Sequence, residues 1–163
     1  MSKLDVSIVK VEPLRAISIW GFGPNPEDQA WAKLEAWAKP KGLLNDPEAR
    51  PIYGFNNPNP SPGSPNYGYE LWMVVGDDVE PEGDLRVIDF EGGLYAVTRC
   101  EVLKEDFEVI GATWRELVAW REDSEYKAAC HQWLEKSVLL DLWGSEIPPE
   151  LAWAMDLYLP IAK

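Results

Sequence analysis

Two short stretches, "YELWMVV" at 69–75 and "MDLYLPI" at 155–161, share a pattern of acid, leucine, aromatic residue and apolar residues. Both are rich in strand-forming residues, so each predicts a β-strand. Because side chains alternate across a strand, each acid shares a face with the aromatic residue two positions later. A carboxylate in a central strand must be hydrogen-bonded, reach water or have a cationic partner. The two stretches therefore indicate an internal duplication, with an acid at the same place in each copy.

The segments around these two stretches support the duplication. "VEPLRAIS" at 11–18 parallels "FEGGLYAVT" at 90–98. Hydrophobic periodicity predicts helices at 25–42 and 104–123. β-branched enrichment and alternation predict strands at 6–11, 15–23, 50–55, 67–76, 85–91, 94–102, 129–138 and 151–162. Each half therefore contains a strand, a helix and two further strands in the same order, beside one additional strand.

This order predicts an α+β fold built from duplicated split strand–helix–strand–strand units with pseudo-two-fold symmetry. We expect antiparallel sheets, with a ligand cleft where the repeats meet. At 163 residues the chain is most simply one domain, 1–163, with repeat halves at about 5–78 and 84–163.

Charge and composition exclude several classes of function. The net charge of −13 comes from 28 acidic and 15 basic side chains, and no basic stripe offers the counterion release that nucleic-acid binding needs. The same negative field would repel anionic membranes, although high solubility explains the acidity equally well. We therefore expect no direct nucleic-acid partner and no membrane partner.

Other sequence features favour a cytoplasmic protein without metal or cofactor. The start "MSKLDVSIVK" has no apolar signal-peptide region, and no stretch approaches the ~20 apolar residues of a membrane span. The two cysteines, Cys100 and Cys130, and the single histidine, His131, match no metal-ligand spacing. "GGLY" lacks the spacing of a dinucleotide-binding loop.

The aromatic content is high, with nine Trp, six Tyr and four Phe. A buried Trp needs a partner for its N–H as well as apolar neighbours. Composition leaves two interpretations open: an unusually aromatic core, or rings that line a cavity.

Four segments carry a resemblance to a known family: "VEPLRAISIWG" at 11–21, "YGYELWMVV" at 67–75, "HQWLEKSV" at 131–138 and "MDLYLPI" at 155–161. In order and spacing they resemble the GyrI-like family, whose domain also serves as the effector-binding domain of drug-sensing transcription activators. The resemblance implies a central pocket that binds lipophilic, often cationic, drug-like molecules between aromatic rings and a buried acid. It implies that Glu135 is the key acid, with Glu70 as a second candidate.

The predicted ligand-binding residues are these two acids and six aromatic residues: Glu135, Glu70, Trp20, Tyr53, Phe55, Trp72, Trp133 and Tyr158. Each has a plainer interpretation. Glu135 also fits a solvated acid beside Lys136, Glu70 fits a strand acid that faces solvent or accepts backbone N–H bonds, and the rings fit ordinary core packing. Two departures from the family are a lysine where an aromatic residue often follows the acid, and the absence of a helix-turn-helix segment before residue 6. The second predicts that this chain is not itself a DNA-binding activator.

Three functions follow from the resemblance and the residues together. The first is binding of hydrophobic, cationic drug-like molecules, for sequestration or sensing. The second is hydrolysis of the cyclopropane ring of DNA-alkylating natural products, with Glu135 or Glu70 as the acid–base group. The third is inhibition of DNA gyrase by an acidic protein. The sequence does not separate binding from hydrolysis, and it leaves a protein partner, the natural ligand and the oligomeric state open.

Overall fold

A computed structural model describes residues 4–46, 48–138 and 150–163 of the chain. It contains two α-helices, a short 3-10 helix (Lys39–Lys41) and antiparallel strands. The helices are α1 (Pro26–Ala38) and α2 (Glu108–Glu122). The strands are β1 (Ser7–Val11), β2 (Leu14–Gly23), β3 (Ile52–Asn56), β4 (Tyr67–Val74), β5 (Arg86–Phe90), β6 (Gly93–Leu103), β7 (Lys127–Ala128), β8 (Leu134–Ser137) and β9 (Leu151–Ala162). The predicted α+β class is therefore confirmed.

The chain forms two compact units. The Glu70 unit is Leu14–Phe90, and the Asp156 unit is Met1–Pro13 together with Glu91–Lys163. These bounds differ from the sequence halves at 5–78 and 84–163, because the first strand of each half pairs outside its own half. Strand β1 pairs with β6, and β5 pairs with β2.

In the Glu70 unit the strands lie in the order β3–β4–β2–β5, and α1 covers one face. Gly21 identifies that face, because a Cβ there would lie only 2.5 Å from the backbone oxygen of Pro26 in α1. The strand residues that alternate with Gly21 in register therefore point toward the helix. The core of the unit lies in this layer, where the following side chains are almost fully buried: Ile17, Ile19, Leu34, Leu71 and Met73.

A tyrosine joins β4 to the first turn of α1. The Tyr67 hydroxyl donates to the Glu27 carboxylate at 2.7 Å. Burial, together with this hydrogen bond, raises the pKa of Tyr67 far above its ordinary range, so the phenol remains protonated and able to donate. The acid also suits the positive end of the helix dipole.

In the Asp156 unit the strands lie in the order β1–β6–β9–β8, and β7 also pairs with β9. Helix α2 covers one face through Leu117, which is fully buried. The core beneath it contains Ala96, Cys100, Met155, Leu157, Leu159 and Ile161. Burial raises the pKa of the Cys100 thiol, which contacts Thr113 of α2.

The predicted strand at 129–138 is shorter in the structure, where β8 covers only Leu134–Ser137. His131 lies before β8 and contacts β6 through its side chain, with Nε2 2.8 Å from the Leu94 carbonyl oxygen. Within the described residues, no helix has the length and apolar character needed to cross a membrane.

Candidate functional site

The carboxylate of Glu70 is the central polar group of its unit. It is 5% exposed, in the middle of β4. Ser18 Oγ and Trp72 Nε1 each donate to Oε2 at 2.7 Å, and Asn57 Nδ2 donates to Oε1 at 3.0 Å. An ionised carboxylate only accepts hydrogen bonds, so three donors suit the charged form.

All three partners of Glu70 are neutral. In the part of the chain that the structure describes, none of the ion pairs includes Glu70. The described part of the chain therefore buries this carboxylate among hydrogen-bond donors without supplying a cation to it. The approach of a cation from outside the chain would stabilise a buried negative charge of this kind, because Coulombic attraction is strong where water is excluded.

Strand register brings these groups together. Trp20 on β2 and Phe55 on β3 lie directly opposite Glu70, and Ser18 lies opposite Trp72. Directly opposite residues of antiparallel strands share a face, so this set points away from α1.

Asn57 reaches Glu70 because Gly68 leaves room for the backbone after β3. The Asn57 amide donates to the Gly68 carbonyl at 2.8 Å. A Cβ on Gly68 would lie 1.8 Å from the Asn57 carbonyl oxygen, so only glycine permits this approach. The position of one donor to Glu70 therefore depends on a glycine two residues before it.

Aromatic rings surround the acid on this face. Trp72 contacts Phe55 edge to face at 4.8 Å between centroids and Phe90 at 5.2 Å. Trp20 stacks on Phe22 at 5.6 Å, and each is 44% exposed. The Glu70 face is defined as Ser18, Trp20, Phe22, Tyr53, Phe55, Glu70, Trp72 and Phe90.

Five of the eight predicted residues lie together on the Glu70 face: Trp20, Tyr53, Phe55, Glu70 and Trp72. Sequence reasoning missed Ser18, Phe22, Asn57 and Phe90. Alternation along β2 places Ser18 and Phe22 on the same side as Trp20, so the sequence pattern could have identified these two residues. No sequence pattern pointed to Asn57, because it begins the irregular proline-rich segment after β3.

Tyr158 lies in the other unit, on the face of its sheet opposite α2. It contacts Tyr95 edge to face at 5.4 Å. Two residues earlier on the same face, Asp156 accepts a hydrogen bond from Arg99 Nε at 2.5 Å. The acid of this repeat is therefore ion-paired.

Glu135 and Trp133 lie on the α2 side of the same sheet. Trp114 of α2 donates to Glu135 Oε2 at 3.2 Å, and Trp133 lies 5.1 Å from Trp114 between ring centroids. Leu134 is the residue that pairs with Tyr158. Alternation then turns Glu135 to the opposite face from Tyr158, so these two predicted site residues do not lie together.

Metal binding finds no support in residues 4–46, 48–138 and 150–163, where no group of three His, Cys, Asp or Glu side chains is arranged to hold an ion. The chemistry that the Glu70 face offers is a fixed negative charge beside aromatic rings.

Solved structures with similar folds include the C-terminal domain of EcmrR, a hydrolase and a ligand complex. The EcmrR C-terminal domain matches with a TM-score of 0.69 at 13% identity, over 98% of both chains. A hydrolase from Listeria innocua matches with a TM-score of 0.64 at 15% identity, over 99% of this chain and 94% of that one. SAV2435 bound to tetraphenylphosphonium matches with a TM-score of 0.53 at 12% identity, over 98% and 94%.

EcmrR is also similar in its complex with DNA, with a TM-score of 0.69 at 12% identity. There the match covers 98% of this chain and 57% of that one, so this chain spans just over half of that protein. These identities show a shared fold and no more. A search of curated proteins gives no match.

The sequence gives a more specific assignment than the fold. The family model described as "Cass2: Integron-associated effector binding protein" matches residues 7–161, nearly the whole chain. The resemblance to GyrI-like effector-binding domains is confirmed by this match and by the similar structures. This chain belongs to the family of integron-associated effector-binding proteins.

Proposed function

We propose that this protein binds hydrophobic small molecules that carry a positive charge, on the Glu70 face. The observation that carries the proposal is the buried carboxylate of Glu70, which has three neutral donors and aromatic neighbours but no cationic partner among the described residues. A lipophilic cation supplies both missing parts, a positive charge for the acid and apolar surface for the rings.

The hydrogen bonds to Glu70 help binding, since they hold the acid in place before a ligand arrives. A carboxylate has about four lone-pair sites, and three are used here. The acid therefore does not have to reorganise, which lowers the cost of association. The faces of Trp20 and Phe22 add cation–π attraction, worth about 0.5–2 kcal/mol per ring depending on solvent exposure.

The comparisons support this proposal by analogy. The family is one of effector-binding proteins, and SAV2435 is bound to tetraphenylphosphonium, itself a lipophilic cation. EcmrR contacts DNA as a longer protein. For this chain we propose no direct nucleic-acid contact, because its net charge of −13 opposes the phosphate backbone.

Isothermal titration with tetraphenylphosphonium tests the proposal. We expect binding in the micromolar range, and we expect Glu70→Gln to weaken it about tenfold or more, because a charge-assisted contact is lost. Glu135→Gln is the matched control and should leave the affinity within about twofold, since that acid lies in the Asp156 unit on the side that α2 covers. Circular dichroism would establish that both variants are folded.

Three results would contradict the proposal. The first is the absence of binding across a panel of lipophilic cations. The second is an equal loss of affinity in the two glutamate variants, and the third is equally tight binding of neutral triphenylphosphine oxide, because either would remove Glu70 as the counter-charge.

Hydrolysis is the second candidate, favoured by the similar fold of the Listeria innocua hydrolase. A held carboxylate beside rings is also what a general base and a flat substrate require. Incubation with a cyclopropane-containing DNA-alkylating compound distinguishes the two functions. Multiple turnovers that Glu70→Gln abolishes would support the enzyme, and stoichiometric binding without product would exclude it.

A further inference from the structure

The two repeats place different residues beside their acids. Strands β2, β3 and β4 of the Glu70 unit correspond in order and pairing to β6, β8 and β9 of the Asp156 unit. Trp20 and Phe55 lie directly opposite Glu70. At the same two positions, Arg99 and Lys136 lie directly opposite Asp156. One repeat therefore flanks its acid with rings, and the other flanks its acid with cations.

The two acids differ in whether the chain supplies a cation to them. The Arg99 guanidinium bonds Asp156 at 2.5 Å, so Asp156 already has a cationic partner. Among the described residues, the side chains that donate to Glu70 are all neutral.

The Asp156 face otherwise retains the parts of a cation site. Tyr158 and Tyr95 stand on the same side of the sheet as Asp156, in edge-to-face contact. At the two positions directly opposite the acid, rings in one repeat therefore take the place of basic residues in the other, while both repeats keep an aromatic residue two positions after the acid.

We infer that Arg99 and Lys136 determine ligand specificity by withholding Asp156 from cations, so that the chain takes up a single positive charge, at Glu70. The inference rests on the proposed function and deepens it. Removal of both basic side chains leaves Asp156 without a cation at these two positions, on the same face as Tyr158 and Tyr95.

Titration of tetraphenylphosphonium into the full chain tests this inference through stoichiometry. The wild type should bind a single equivalent, and Arg99→Gln/Lys136→Gln should bind a second equivalent. Addition of Asp156→Asn should remove that second equivalent while leaving the first. A double variant that still binds a single equivalent with unchanged affinity would overturn the inference, and so would a wild type that already binds two.

A reciprocal substitution provides an independent test at Trp20, which is 44% exposed and whose Nε1 donates to the Asn57 carbonyl oxygen at 2.7 Å. Trp20→Arg places a cation opposite Glu70, as Arg99 lies opposite Asp156. Trp20→Gln removes the ring and the same hydrogen bond without adding a charge, so the two variants differ in the charge. We expect Trp20→Arg to weaken cation binding about tenfold more than Trp20→Gln, because the new guanidinium competes for the carboxylate. Equal effects would contradict the inference.

Cation binding at Glu70 and the role of Arg99 and Lys136 can be contradicted separately. If the wild type does not bind the cation, the proposed function is wrong and the inference falls with it. If the wild type binds in a Glu70-dependent manner but neither test changes stoichiometry or affinity as stated, only the role of Arg99 and Lys136 is wrong.

Discussion

At the scale of single residues, glycines fix how closely the backbone segments of the Glu70 unit approach one another. Gly21 allows α1 to lie directly on β2, and Gly68 allows Asn57 to reach the acid. In both places the nearest atom to an added Cβ is a backbone oxygen, which cannot move aside as a flexible side chain can. These two positions therefore connect the local sequence to the geometry of the site.

Gly21→Ala should destabilise the protein by about 1–3 kcal/mol, because the added methyl group meets the Pro26 oxygen at 2.5 Å. The matched control is Gly111→Ala in the first turn of α2, where the nearest atom is the end of the Arg115 side chain at 3.4 Å. That change should stabilise by about 0.5–1 kcal/mol through helix propensity. Urea denaturation measures both, and equal effects would contradict the close contact of α1 with β2.

At the scale of elements, most strands lie within two residues of their predicted bounds. The strand predicted at 151–162 is β9, Leu151–Ala162, and its alternating, β-rich sequence is long enough for the pattern to be clear. The five-residue strands β1, β3 and β5 also match the predictions at 6–11, 50–55 and 85–91. The prediction at 129–138 was too long, since β8 covers only Leu134–Ser137, and the two-residue strand β7 was not predicted.

Helix α2 packs on its sheet through Leu117, which is fully buried, with Ile110, Trp114 and Val118 partly buried beside the same core. Leu117→Ala should cost about 2–5 kcal/mol, because it opens a cavity over the core beneath the helix. Leu103→Ala is the matched control at a site that is 51% exposed, and we expect a change within about 1 kcal/mol. Guanidinium denaturation compares the two, and a mild effect of Leu117→Ala would contradict the packing of α2.

At the scale of the whole molecule, the net charge of −13 creates a negative field that attracts cations over a distance. This long-range attraction affects encounter more than the bound state, where short-range contacts to Glu70 dominate. The acidity therefore complements the proposed ligand class, although it does not identify any one ligand.

The association rate of a lipophilic cation should fall as sodium chloride is raised, while its dissociation rate changes little. Salt screens charges beyond about 10 Å at 0.1 M, so it weakens the approach and leaves the close contact to Glu70 largely intact. Stopped-flow fluorescence with a cationic dye measures both rates, and a neutral dye of similar shape is the control. Salt dependence confined to dissociation would contradict this account.

The sequence by itself determined the α+β class, the duplicated motif and the fact that each acid shares a strand face with its aromatic partner. It did so because these properties depend on local periodicity and on residues two positions apart. It also supplied five residues of the Glu70 face, since alternation groups them within their own strands.

Only the tertiary structure decided which residues flank each acid and which face of a sheet the helix covers. Ser18 and Glu70 are separated by 52 positions, and no local pattern sets the register that joins them. The same reasoning applies to Glu135, whose face follows from the pairing of Leu134 with Tyr158. Long-range strand pairing therefore left Glu70 among rings and neutral donors, and placed Asp156 beside Arg99.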